Sequence, residues 1–219
     1  MFATFFSACN AEDTLVPGTS GEVSQVFRDT INSSISQMPP DLQRWLAEKG
    51  VDVVAGKYLT DIRPDLKGLT PRGYPQGSTW DMSEGLHHRG KVYLPEFKRY
   101  SGHFAKGETV ERVQLTRVRE VLHHEMGHAI DFFEGFTQSE NFVETYEREK
   151  QALLSRNTPG NASCLAYFLQ NGEAGRKEAF AELFSSLFNP QPSPEAQMLK
   201  IYFPETFAIV REDISKLGN

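Results

Sequence analysis

The chain has 219 residues, 39% of them apolar and 16 of them Phe, which suits one domain with a true core and some extra terminal length, or at most a small pair. A net charge of -6 comes without any basic stripe, so neither DNA nor RNA is expected as a partner. No run reaches the roughly 18 to 20 apolar residues of a membrane span, and Cys9 and Cys164 alone make no disulfide framework.

The chain begins MFATFFSAC, an apolar stretch leading to small residues and a Cys. It resembles the tail of a bacterial lipoprotein signal that lacks the basic start and most of the apolar run. The expectation is a secreted or extracellular protein with Cys9 as a lipid anchor; a plain apolar terminus is the other reading. Residues 11–21 are rich in Gly, Pro, Ser, Thr and acids, a linker composition. Residues 1–21 are therefore set apart, and 22–219 are expected to form a single domain.

Val23, Val26, Phe27, Ile31 and Ile35 recur at helical spacing until Pro39 and Pro40, and a second helix over 41–49 stops at Gly50. VDVVAGKYL reads as a buried strand and KVYLPEF, residues 91–97, as another. The second is the candidate edge strand for an extended peptide. Between them lies DLKGLTPRGYPQGSTWD, dense in Gly and Pro. Helices are predicted over 110–133, 141–155 and 176–188, with a short stretch near 162–170 and one or two helices after NPQPSP. Strands first and helices afterwards make an α+β fold.

The third helix contains VLHHEMGHAID. At about 100° per residue from Val118, the residues Leu115, Leu122, Met126, Ala129 and Phe133 form one apolar stripe between about 20° and 80°. His124, His128 and Asp131 cluster between about 220° and 280°, and His123, near 140°, joins neither group. A helix sets i and i+4 side chains together, so His124 and His128 can converge on one tetrahedral cation. Glu125 then stands where the His-Glu-x-x-His zinc hydrolases carry their general base. A catalytic zinc needs a third protein ligand. Asp131 lies roughly 10 Å along the axis from His124, too far for that, and is read as an acceptor that orients an imidazole or as a surface acid. Downstream, GRKEAFAELF offers Glu178 and Glu182 at i, i+4 above an apolar face. Glu178 is the candidate third ligand, and Glu182 would hydrogen-bond a ligand and hold its geometry.

HEMGHAID with EAFAELF resembles the paired helices of the anthrax lethal factor catalytic lobe, a gluzincin family that includes the secreted bacterial Pro-Pro endopeptidases. TPRGYPQGSTWD resembles the segment that precedes the active site in the latter. The resemblance implies a zincin-like metalloprotease fold, with His124, His128 and Glu178 as Zn2+ ligands, Glu125 as base, Glu182 supporting a ligand, and Trp80 as a substrate-binding residue. The family carries a catalytic Tyr seven residues before its third ligand, where this chain has Asn171. Tyr167 takes that role if the intervening segment holds an insertion; otherwise it packs with Phe168 and Leu169. Ser78 replaces a Lys of the Pro-Pro enzymes, which leaves the preferred bond open.

The expected function is a monomeric zinc endopeptidase acting on protein or peptide substrates, with proline-rich sequences as candidates. The alternative is a zinc-binding, non-catalytic relative that serves as a toxin component or protein-binding module.

Overall fold

The computed structural model describes residues 18–19, 22–71, 74–100, 107–156 and 163–217. Cys9 and the apolar terminus lie outside them. A mixed sheet runs β1 (Gly18–Thr19), β2 (Asp52–Gly56), β4 (Lys91–Pro95), β3 (Leu86–His88) in spatial order. The first three strands are parallel, and β3 is antiparallel to β4. β1 falls within the stretch read as linker. β3 and β4 are joined at Arg89 and Gly90, both at positive φ (51° and 78°), the backbone of a tight primed hairpin turn.

This order corrects one expectation. The strand at 91–97 is not the edge; β4 is paired on both sides, and β3 is the outer strand on that side. A second correction concerns 110–113. Thr109–Arg112 is a strand, β6, paired antiparallel with β5 (Phe97–Tyr100), and the long helix begins only at Leu115. The β6 side chains are all exposed, so no buried face draws this segment into the helix; ladder bonds to β5 decide its state.

Helices α1 (Gln25–Ile35) and α2 (Pro40–Glu48) precede β2, and the single turn α3 (Leu59–Ile62) follows it. Ser24 caps α1 through its hydroxyl. It also donates its backbone N–H (2.8 Å) and its hydroxyl (2.6 Å) to the buried carboxylate of Glu96. The Arg112 guanidinium bonds the same carboxylate, which ties the β5–β6 arm to the body of the fold.

The long helix, α4 (Leu115–Glu134), is buried nearly all round: Val118, Val121, Leu122, His123, Met126, Gly127, Ala129, Ile130 and Asp131 are all buried. It is enclosed by α1, the sheet and α6 (Glu173–Phe188). The face opposite the apolar stripe therefore meets another helix. Gly135, left-handed at φ 68°, ends α4. α5 (Glu140–Ser155), α7 (Pro194–Tyr202) and α8 (Pro204–Ser215) complete the helical half. Among the described residues, no helix is long and apolar enough to cross a membrane.

Candidate metal centre

The site is made by the crossing of α4 and α6. At Gly127 a Cβ would stand 2.8 Å from the Cα of Ala181 and 3.2 Å from its carbonyl oxygen. Only a glycine allows this approach, and one residue further along α4 comes His128. The crossing brings Glu178 to the two histidines. Its Oε2 lies 3.2 Å from His124 Nε2 and 3.2 Å from His128 Nε2, and the three candidate ligand atoms all lie within 4.8 Å of one another. Four ligands at zinc bond lengths of about 2.0 to 2.1 Å form a tetrahedron with edges of about 3.3 Å. The two histidine-to-carboxylate spacings match that edge, and two imidazoles with one carboxylate are a donor set that zinc accepts. The residues fit the cation.

Glu182 stands one turn beyond Glu178. Its Oε2 lies 3.0 Å from His124 Nδ1, and its Oε1 accepts the Ser193 hydroxyl at 2.6 Å. Ser193 in turn caps α7, accepting from the Ala196 N–H at 2.9 Å. The far nitrogen of His124 is thus anchored to a carboxylate that is itself held in place. Such outer bonds fix imidazole orientation and tautomer in metal sites.

The charges are unusually poised. Burial works against the His124 imidazolium, yet the bonds to Glu178 and Glu182 outweigh it and push this histidine up to about 10. Burial also opposes ionisation of Glu178, but its bonds to His124 and His128 hold the carboxyl well below the usual range. Glu182 is lowered against its own burial by the same His124 ring and by Ser193. Without a cation, the carboxylates retain a proton on His124 as their counter-charge.

Glu125 sits beside this pair. Burial pushes its carboxyl up, the neighbouring His124 and His128 pull it down, the Glu178 charge raises it, and the backbone N–H of His87 donates to it. The net direction is upward, as a general base working near neutrality requires. Gly85 makes room for it: a Cβ there would stand 3.1 Å from Glu125 Cγ and would run into Val121.

Tyr167 is 54% exposed, and its ring meets Phe168 edge-on at 5.5 Å. Its hydroxyl is within reach of the charges of Glu178 and Glu125. Burial of that end raises the phenol, the Glu178 carboxylate adds to this by charge and hydrogen bonding, and the charge of Glu125 acts in the same direction. The phenol therefore remains protonated, a donor at neutral pH.

One expected residue has another position. Asp131 is buried, and its carboxylate accepts the Thr137 backbone N–H and the Thr137 hydroxyl, both at 2.8 Å. It fastens the turn after α4 and orients no imidazole among the described residues, because the chain reverses at Gly135 and carries Thr137 back to it. Trp80 is half-buried in a one-turn helix, Trp80–Met82, that packs against β5. No ring contact among the described residues joins it to the histidines.

His87, on the outer strand β3, was missed from the sequence. Its ring stacks against His128 at 6.4 Å and tilts over Phe132 at 5.7 Å, and its Nε2 accepts the Gly90 N–H at 3.0 Å. Burial, helped by the neighbouring His128, pushes it down to about 4, so it stays neutral. The Gly90 that directly precedes the strand KVYL was the turn signal that could have pointed to a hairpin partner before it.

A mixed sheet over a central helix that presents two histidines and a glutamate, with a third donor from a later helix, is a zincin-like metalloprotease fold. The sequence profile described as "Anthrax toxin lethal factor, N- and C-terminal domain" matches residues 11–212, and the chain belongs to this family. A comparison with curated proteins finds no match. The solved structure of the PRO-PRO endopeptidase (PPEP-2) from Paenibacillus alvei is similar, with a TM-score of 0.58 and 21% identity over 90% of this chain and 96% of that one. That likeness is one of fold.

Proposed function

We propose that the protein is a zinc-dependent endopeptidase that hydrolyses peptide bonds in protein substrates. The observation that carries this reading is the convergence of His124 Nε2, His128 Nε2 and Glu178 Oε2, with 3.2 Å between each imidazole and the carboxylate, beside a half-buried Glu125 of raised pKa. Family membership and the likeness to a Pro-Pro endopeptidase support it.

When bound, zinc polarises the scissile carbonyl and acidifies a water. His124, His128 and Glu178 would hold the cation, and Glu182 fixes the His124 ring. The Glu125 carboxylate takes a proton from the attacking water and passes it to the departing nitrogen as the C–N bond breaks. Tyr167 donates its phenolic hydrogen to the carbonyl oxygen as charge develops there. The peptide lies extended along β3, the outer strand, where main-chain bonds tolerate varied side chains, and Trp80 walls a side-chain pocket. With Ser78 buried, no lysine stands at that position, and the reading extends to proline-rich sequences without a fixed Pro-Pro bond. An extracellular location, supported by the apolar start of the chain and Cys9, belongs to the same proposal.

The reading as a metal-binding, non-catalytic relative drew on Asn171 standing in place of a tyrosine. The Glu178 carboxylate acting on the Tyr167 phenol supports the catalytic reading instead. Zinc-loaded protein incubated with proline-rich and proline-free peptide libraries separates the two. Cleavage that a chelator stops and added zinc restores is the expected result. Retained zinc with no cleavage of any peptide would favour the binding module.

A further inference from the structure

Tyr167 belongs to the stretch 163–172 that leads into α6, much of it turn, and three of its carbonyls accept side-chain donors. Leu165 and Phe168 are buried and peg the segment to the core on either side of the exposed Tyr167. The carbonyl of Phe168 accepts the Tyr146 hydroxyl. The carbonyl of Gln170 accepts Lys150 Nζ at 3.0 Å, and that of Tyr167 accepts Gln170 Nε2 at 2.7 Å. Tyr146 and Lys150 are one turn apart on α5. Tyr146 is fully buried, stacked between Phe142 at 6.4 Å and Phe203 at 5.4 Å. Lys150 is 5% exposed, with its ammonium 5.7 Å from the Tyr146 ring centre.

A hydroxyl and an ammonium inside an aromatic core cost free energy unless they are partnered. Both find a hydrogen-bond acceptor in the one segment that carries Tyr167, and the Lys150 ammonium also has the Glu147 carboxylate 4.0 Å away. Gly175, in the first turns of α6, completes the seat: a Cβ there would stand 2.5 Å from the Gln170 carbonyl oxygen, 2.7 Å from that of Phe168 and 2.7 Å from the Tyr146 hydroxyl. Even a methyl group would push the segment off its anchors.

We infer that Tyr146 and Lys150, with Gly175 as the close-approach point, are positioning residues: they clamp the backbone on the C-terminal side of Tyr167 and so aim its phenol at the peptide carbonyl. This rests on the peptidase reading above. Neither α5 side chain is placed on the metal or the substrate; each acts through Tyr167.

The test uses Tyr146→Phe, which keeps the ring and its stacking, together with Lys150→Met and Gly175→Ala, in the wild-type and the Tyr167→Phe backgrounds. In the wild-type background kcat should fall on the order of 10-fold to 100-fold, with KM and zinc content unchanged. In the Tyr167→Phe background the same changes should have no further effect on kcat, since residues acting through one group are not additive. An equal fall in both backgrounds, or no fall in either, overturns the inference. A readout independent of turnover is the NMR resonance of 13C-labelled Tyr167, identified by its loss in Tyr167→Phe. It should shift in Tyr146→Phe and Lys150→Met; an unmoved resonance overturns the positioning role. A shifted resonance in a protein that cleaves no peptide sustains the positioning and removes the peptidase reading alone.

Discussion

The two sides of α4 meet very different surroundings. Facing α1, His123 is fully buried and bonds the Ser34 carbonyl through Nε2 at 3.0 Å, with its ring edge-on to Phe188. Burial pushes it down to about 4; the one carbonyl does not offset this. Facing α6, His124 meets two glutamates and is pushed up to about 10 against its burial. Consecutive residues on one helix thus become a neutral core group and a cation-like one. Depth alone does not decide the outcome; a neutral acceptor cannot compensate a lost hydration shell, and two carboxylates can. The side facing α6 should govern chemistry and the side facing α1 only stability.

The largest expected effect lies on the side of α6. Glu125→Gln should reduce peptide hydrolysis by about 10²- to 10⁴-fold while elemental analysis shows zinc retained; cleavage at the wild-type rate would remove Glu125 as the base. Glu178→Ala should instead empty the site of zinc, because two imidazoles would be left to hold the cation without their carboxylate. Full occupancy in that variant would take Glu178 out of the ligand set.

A smaller effect is expected at the crossing itself. Gly127→Val sets side-chain atoms against the Ala181 backbone, 2.8 Å from where a Cβ would stand. The overpacking should cost about 1 to 3 kcal/mol in urea unfolding and weaken zinc binding together with stability. Unchanged stability would mean that the helices do not pass so closely.

The mildest test belongs to His123. Its pKa falls from 6.5 to about 4 on folding, so between these values the unfolded chain binds the extra proton. The His123 contribution to stability should therefore be complete above pH 6.5 and decline as pH falls towards 4, with a slope of up to about 1.4 kcal/mol per pH unit, whereas the His124 contribution in the metal-free protein is lost as pH rises from 6.5 towards 10. His87, also lowered to about 4, adds a second contribution. In the metal-free protein His123→Phe should make the decline shallower without altering zinc binding once metal is restored, and an identical slope would show that His123 is not buried neutral.

Much of this site was legible because its spacing is local. His124 and His128 share a helical face by register, and Glu178 and Glu182 repeat the same interval, so each half could be read alone. What register cannot give is what lies across from a face. It grouped Asp131 with the histidines, whereas the reversal at Gly135 delivers Thr137 to that carboxylate first. It left His123 without a role, because its partner carbonyl is 89 residues away in the sequence. The outer strand went unseen for a different reason: Leu86–His88 is three residues long, too short for alternation to register. For Thr109–Arg112 the deciding bonds come from Phe97–Tyr100, which no local pattern reveals.

The central claim is that one cation is held by residues of two helices. A crystal of the zinc-loaded protein, measured on both sides of the zinc absorption edge, tests it directly. The account predicts one anomalous peak at about 2.1 Å from His124 Nε2, His128 Nε2 and a Glu178 carboxylate oxygen. A peak elsewhere on the molecule, or none at the crossing of α4 and α6, would contradict it.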